Sequence, residues 1–161
     1  MLTPFGRRLF VMTAVLIAMG SLANAQTPKP AKEDTAARRR SKNAAVSVAI
    51  VPAEAKRGET VKLIVTVKLD KGYHIFKYSK DKAEPGLPYP TNFDLFDPAG
   101  LEPIGDWTSS REPVKLPMPV FKQVPFVELF EGEVDFIREL KIPEGLEPGK
   151  KAILTQMDYQ I

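Results

Sequence analysis

Apolar and polar residues alternate along the stretch from Thr60 to Lys77, and the rest of the chain can be laid against it. Val61, Leu63, Val65, Val67 and Leu69 take every second position, with Lys62, Thr66 and Lys68 between them. A period of two gives a strand one apolar face and one polar face, whereas a helix would scatter the same residues around its surface. Asp70-Lys71-Gly72 interrupts the alternation, and a second β-prone run begins at Tyr73. The expectation is a strand pair with a short connection.

The same pattern recurs on both sides. Ala44–Val51 is rich in Val and Ala and is stopped by Pro52; Lys56-Arg57-Gly58-Glu59 supplies the reversal before the central strand. Lys77–Pro90 is a polar, proline-rich loop, long for a hairpin connection, and long loops on such scaffolds often carry function. Thr91–Phe96 alternates again, with Phe93 and Leu95 on one side. A turn at Asp97–Gly100 leads into an extended piece, Leu101–Trp107. Thr108–Pro119 reads as irregular. Val120–Phe130 resumes strand character, which Pro125 demotes to an edge or bulged strand. Val134, Phe136, Leu140 and Ile142 mark one face of a further strand, with Arg138 in their register and therefore near a strand end or a partner acid. After the turn at Pro143–Gly149, Ile153, Thr155, Met157 and Tyr159 line one face of a last strand, and the sequence ends inside that pattern, as a truncated domain would. Short strands punctuated by Pro and Gly, with no credible helix, predict an all-β, immunoglobulin-like β-sandwich of seven to nine strands over residues 44–161.

Composition changes this picture at the N-terminus. Arg7-Arg8, the apolar run Leu9–Met19 and Ala23-Asn24-Ala25 make residues 1–25 a secretory signal peptide with a small-x-small cleavage motif. The competing reading is a retained anchor, although the run is short for a membrane span. The twin arginine leaves the general and twin-arginine export routes both open. Residues 26–43 hold Pro28, Pro30 and Arg38-Arg39-Arg40 and almost no large apolar side chain, so they are expected to form a disordered basic linker. The Arg triplet is either solvated or a contact for anionic lipid. The formal charge of +3 comes from these two segments. Residues 44–161 carry 15 basic and 18 acidic residues, net −3, and that balance offers no basic face for nucleic acid. The expected location is the periplasm or cell envelope.

No catalytic constellation is complete. The chain contains no cysteine, hence no disulfide, thiolate metal site or thiol nucleophile. His74 is the only histidine; without further ligands or an orienting acid it is read as structural. Glu131, Glu133 and Asp135 form an acidic row, either a calcium or carboxylate-pair site or a solvated strand face, and the oxygen-rich loop that calcium requires is missing. Tyr73, Phe76, Tyr78 and Tyr89 flank the long loop, as a contact surface or as a seal on the end of the sandwich. No cofactor motif, phosphate-binding glycine loop or small-molecule substrate site is evident.

Three pieces carry a resemblance through their order and spacing: Lys71-Gly72-Tyr73-His74-Ile75-Phe76, then Pro85-Gly86-Leu87-Pro88-Tyr89-Pro90-Thr91, then Ile142-Pro143-Glu144-Gly145 through Pro148-Gly149, with Tyr159-Gln160 after them. From about Val46 to Ile161 the chain resembles the N-terminal periplasmic domain of the thiol:disulfide interchange protein DsbD family. The resemblance implies an immunoglobulin-like sandwich that takes electrons from a membrane-embedded donor and relays them to periplasmic thiol oxidoreductases through a cysteine pair. In that family the pair follows closely after the Tyr-Gln, beyond Ile161 here, so no catalytic residue is assigned and the chain by itself is expected to be inactive in thiol exchange. Tyr73, His74, Phe76, Tyr78, Pro88, Tyr89 and Tyr159 are the expected partner-docking or thiol-shielding residues. The alternative is a non-enzymatic envelope sandwich that binds a protein or glycan.

Overall fold

A computed structural model describes residues 11–17, 38–40, 42–81, 86–119 and 124–161. Two short strands, β1 (Val11–Ile17) and β2 (Arg38–Arg40), precede nine strands within residues 44–161. These are β3 (Ala44–Val51), β4 (Thr60–Leu69), β5 (His74–Phe76), β6 (Asn92–Asp97), β7 (Glu102–Ser109), β8 (Val114–Pro117), β9 (Phe126–Glu131), β10 (Glu133–Lys141) and β11 (Lys151–Asp158). The chain is an all-β sandwich, as the alternation predicts.

One sheet has the order β2-β3-β4-β10-β7, a second β1-β11-β6 and a third β5-β9-β8. The stretch expected to organise the chain sits in the middle of the largest sheet. β4 pairs antiparallel with β3 on one side and β10 on the other, Val65 lying opposite both Val48 and Phe136. Val61, Leu63, Val65 and Val67 are all at most 1% exposed. Each such side chain contributes about 1.5–3 kcal/mol relative to an exposed one. They pack in one core with Ile75 and Phe130 from the third sheet and Ile153, Met157 and Tyr159 from the end of the chain.

The structure corrects four expectations. The runs on either side of Asp70–Gly72 do not pair with each other. Both edges of β4 are already filled, and a turn closed by Tyr73 N–H donating to Asp70 O (3.1 Å), with Gly72 at φ 86°, sends β5 to another sheet to pair with β9. Thr108–Pro119 is not wholly irregular, because Val114–Pro117 forms β8 against β9. β9 begins after Pro125 and is the central strand of its sheet rather than an edge; the proline lies just outside the ladder, so the missing N–H costs no pairing there. Arg38–Arg40, in the segment read as a disordered linker, forms β2 on the outer edge of β3, with Arg39 opposite Val46. An open strand edge offers unpaired backbone groups that an extended segment can satisfy whatever its side chains.

Part of the apolar run expected to belong to a signal peptide is described: the backbone of β1 pairs antiparallel with β11, Thr13 opposite Thr155. The cleavage motif at residues 23–25 and most of the linker lie outside the described residues.

Candidate functional site

The long loop is anchored at its stem before it does anything else. Thr91, fully buried, donates its hydroxyl to Phe76 O (2.6 Å), and its backbone N–H donates to Lys77 O (3.2 Å). Ser79 N–H donates to Thr91 O (3.0 Å), and the Asn92 amide donates to Ser79 O (2.7 Å). Lys77 N–H donates to Glu128 O (2.8 Å), tying the stem to β9. These bonds join the two ends of the loop; residues 82–85 lie outside the described residues.

Between this loop and β9 lies an open groove of about 340 Å³. One wall is Leu87, Pro88 and Pro90; the other is Val124 and Phe126, with Phe76 and Val127 beneath. Phe76, Val127 and Leu129 form a small apolar cluster of their own, with Met118 and Val124 packed on it. Phe126 is 58% exposed, the most exposed large apolar side chain among the described residues. Charge is confined to the rim. Lys77 Nζ lies 2.8 Å from Glu128 Oε2 and Lys115 Nζ 3.7 Å from Glu128 Oε1. The hydrogen bond from Lys77 holds the Glu128 carboxyl below its usual range, against a smaller opposing effect of desolvation.

The structure distributes the seven expected residues unevenly. Phe76, Tyr78 and Pro88 line the groove. Tyr89 adjoins it and donates its backbone N–H to Gln160 Oε1 (2.8 Å), so the Pro-rich loop is fastened to the last residues of the chain. Tyr159 is 1% exposed and belongs to the core, where its burial keeps it from direct contact with a docking protein. Tyr73 is exposed at the entry to β5, and His74 stands edge-on to Phe76 (ring centroids 5.4 Å apart); neither lines the groove. Sequence reasoning missed the β9 side, Val124, Phe126 and Val127. The available signal was Phe126 immediately after Pro125: a large apolar residue at a strand start, out of step with the buried Val127 and Leu129.

Arg138 has the partner acid its register demanded, Asp106, at 3.2 Å. The acidic row does not gather. Asp135 accepts from the Thr66 hydroxyl (2.6 Å), Glu133 pairs with Lys68 (3.5 Å), and the Arg111 guanidinium bonds the backbone carbonyls of Glu131 and Glu133. Among the described residues no group of three or more His, Cys, Asp or Glu side chains is placed to hold a metal ion. Comparison with protein-family models, with curated proteins and with solved structures finds no match to this chain.

Proposed function

We propose that the chain is the exported sandwich domain of a DsbD-like thiol:disulfide relay, and that the groove between the Pro-rich loop and β9 is where its envelope thiol oxidoreductases and its membrane-embedded electron donor dock. The observation that carries the reading is the bond from Tyr89 N–H to Gln160 Oε1. It joins two separate pieces of the resemblance, the Pro-Gly-Leu-Pro-Tyr-Pro loop and the Tyr-Gln after which the family's cysteine pair follows. A cysteine pair following Gln160 would emerge beside Pro88 and Tyr89, where the loop can shield it and a partner seated on Phe126 can reach it. Thiol exchange requires a thiolate as the attacking species. The 161 residues contain none, so they contribute docking and shielding to the relay and not the exchange itself.

The lack of cysteine is also what favours the second reading, a non-enzymatic envelope module for a protein partner. Calorimetric titration with an envelope thiol oxidoreductase separates the two. The relay reading expects weak saturable binding that Phe126→Asp reduces at least tenfold, because a charge replaces the large exposed apolar side chain on the β9 wall of the groove. Absence of binding by the unaltered chain, or binding indifferent to Phe126→Asp, would overturn it.

A further inference from the structure

A second cavity lies on the other side of Tyr78, where β6 and β7, edge strands of different sheets, run past each other. Both strands carry irregularities there. On β7, Ile137 is opposite Thr108 and Glu139 opposite Ile104, so Arg138 alone faces Gly105, Asp106 and Trp107. On β6, Leu154 is opposite Asp97 and Thr155 opposite Leu95, which leaves Phe96 unpaired and turned to solvent. Bulges of this kind re-aim side chains and recur beside binding sites. Here Gly105, at φ 61°, lets β7 turn Trp107 inward, and Trp107 is the single buried residue of that strand.

The result is a cavity of about 300 Å³ with an apolar floor and a charged rim. Phe93 and Trp107 stack at the floor, ring centroids 4.0 Å apart and planes 19° apart. The rim holds Lys80, Asp106, Arg138 and Tyr78. Both cations converge on one atom, Asp106 Oδ1, from 2.7 Å for Lys80 Nζ and 3.2 Å for Arg138. The rim therefore has one more positive charge than negative. The Arg138 side chain is only 16% exposed, yet that single bond is its only polar contact among the described residues. A guanidinium has five N–H donors in a planar fork suited to a carboxylate, so Arg138 keeps donors that a ligand in the cavity can take up in place of water. Lys80, at 66% exposure, is free to swing. Burial, followed by the nearby Asp106 carboxylate, pushes the Tyr78 phenol upward, so it stays protonated and able to donate.

We propose that this cavity is a binding site for a small organic carboxylate with a flat apolar body. The body lies over the Phe93–Trp107 floor, and the carboxylate takes the unmatched donors of Arg138, with Lys80 and Tyr78 completing its shell. At roughly 30 Å³ per group the cavity admits about ten non-hydrogen atoms, the size of phenylacetate. The site shares Tyr78 with the docking groove, but its floor and its charged rim are separate, and it survives the failure of the relay reading.

Trp107 is the chain's only tryptophan, so intrinsic fluorescence reads this cavity directly. Titrating the full chain with phenylacetate should give a saturable change in Trp107 emission, at least tenfold weaker with the neutral phenylacetamide. Arg138→Gln should weaken phenylacetate binding at least tenfold while leaving the amide unchanged. Should Arg138→Gln fail to fold, Lys80→Gln serves at the exposed side of the rim and should weaken binding severalfold. Asp106→Asn removes the competing carboxylate and should tighten it. No saturable response to millimolar phenylacetate, an equal response to acid and amide, or a response indifferent to these charge changes would each overturn the proposal.

Discussion

β4 and β9 are both central strands, yet they are held in different ways. β4 is ten residues long, alternates strictly, and is paired along eight or nine of its residues on each side. β9 is six residues long and is flanked by β5 over three residues and β8 over four. β4 has its position written in its own side chains, because a slip of one residue would turn the whole apolar row to the solvent. β9 has its position set by what other segments bring to it: the loop stem at Lys77, the Gly132 turn into β10, and the small cluster around Phe76. A strand placed in this way can leave Phe126 exposed at no cost to the main core, and the groove is built at such a strand.

The contrast can be broken most severely at Val65. Val65→Asp places an unpaired carboxylate in the middle of the largest sheet and should lower stability by about 4 kcal/mol or more, if the chain folds at all. Lys62→Gln, on the opposite face of the same strand, should change it by less than about 0.5 kcal/mol. Denaturant unfolding checks both, and similar midpoints would mean that the register of β4 is misassigned.

The next effect belongs to the loop stem. Thr91→Val keeps the shape but removes the hydroxyl that caps Phe76 O, leaving a buried carbonyl short of a donor. The expected cost is about 1–2 kcal/mol. Amide hydrogen exchange at Lys77, Ser79 and Thr91 should speed up selectively, while β4 keeps its protection.

Phe126→Asp should be milder still in stability, at most about 1 kcal/mol, although it makes the same kind of change as Val65→Asp. Thermal unfolding measures the difference, and equal losses from the two substitutions would erase the distinction between the strands.

The smallest effect is electrostatic. Glu128 titrates below its ordinary value of 4.5 because of the hydrogen bond from Lys77. A depressed carboxylate adds stability that is present above its unfolded value and lost as the pH falls through its native value. The Lys77–Glu128 pair therefore contributes near neutrality and fades only in acid. The pair is exposed, so the contribution is small. Glu128→Gln should flatten the acid limb of melting temperature against pH and leave the neutral plateau nearly unchanged.

The sandwich was legible because its long strands repeat one rule. Ile153, Thr155, Met157 and Tyr159 are all buried, as their spacing required, and Arg138 found its acid. Pairings between distant segments were not legible. Nothing in Thr108–Pro119 announces that Val114–Pro117 will find β9, because four residues carry too little alternation to register. The turn at Gly72 reads the same whether the chain folds back beside β4 or crosses to another sheet; occupancy of both β4 edges decides it, and that is a property of the whole chain. The groove was half legible for the same reason. Its loop wall is one contiguous stretch, and its β9 wall is brought there by pairing. The cavity at Trp107 depends on the bulge opposite Arg138, a mismatch between two strands that neither sequence contains alone.

The central claim is that partners meet this domain between the Pro-rich loop and β9. Mapping backbone amide shifts of the isotope-labelled chain during titration with an envelope thiol oxidoreductase tests it most directly. The account predicts perturbations confined to the amides of residues 76–79, of Leu87 and Tyr89, and of residues 126–128, with β3 and β4 silent. Perturbations centred on the outer face of β3, or none at saturating partner, would contradict it.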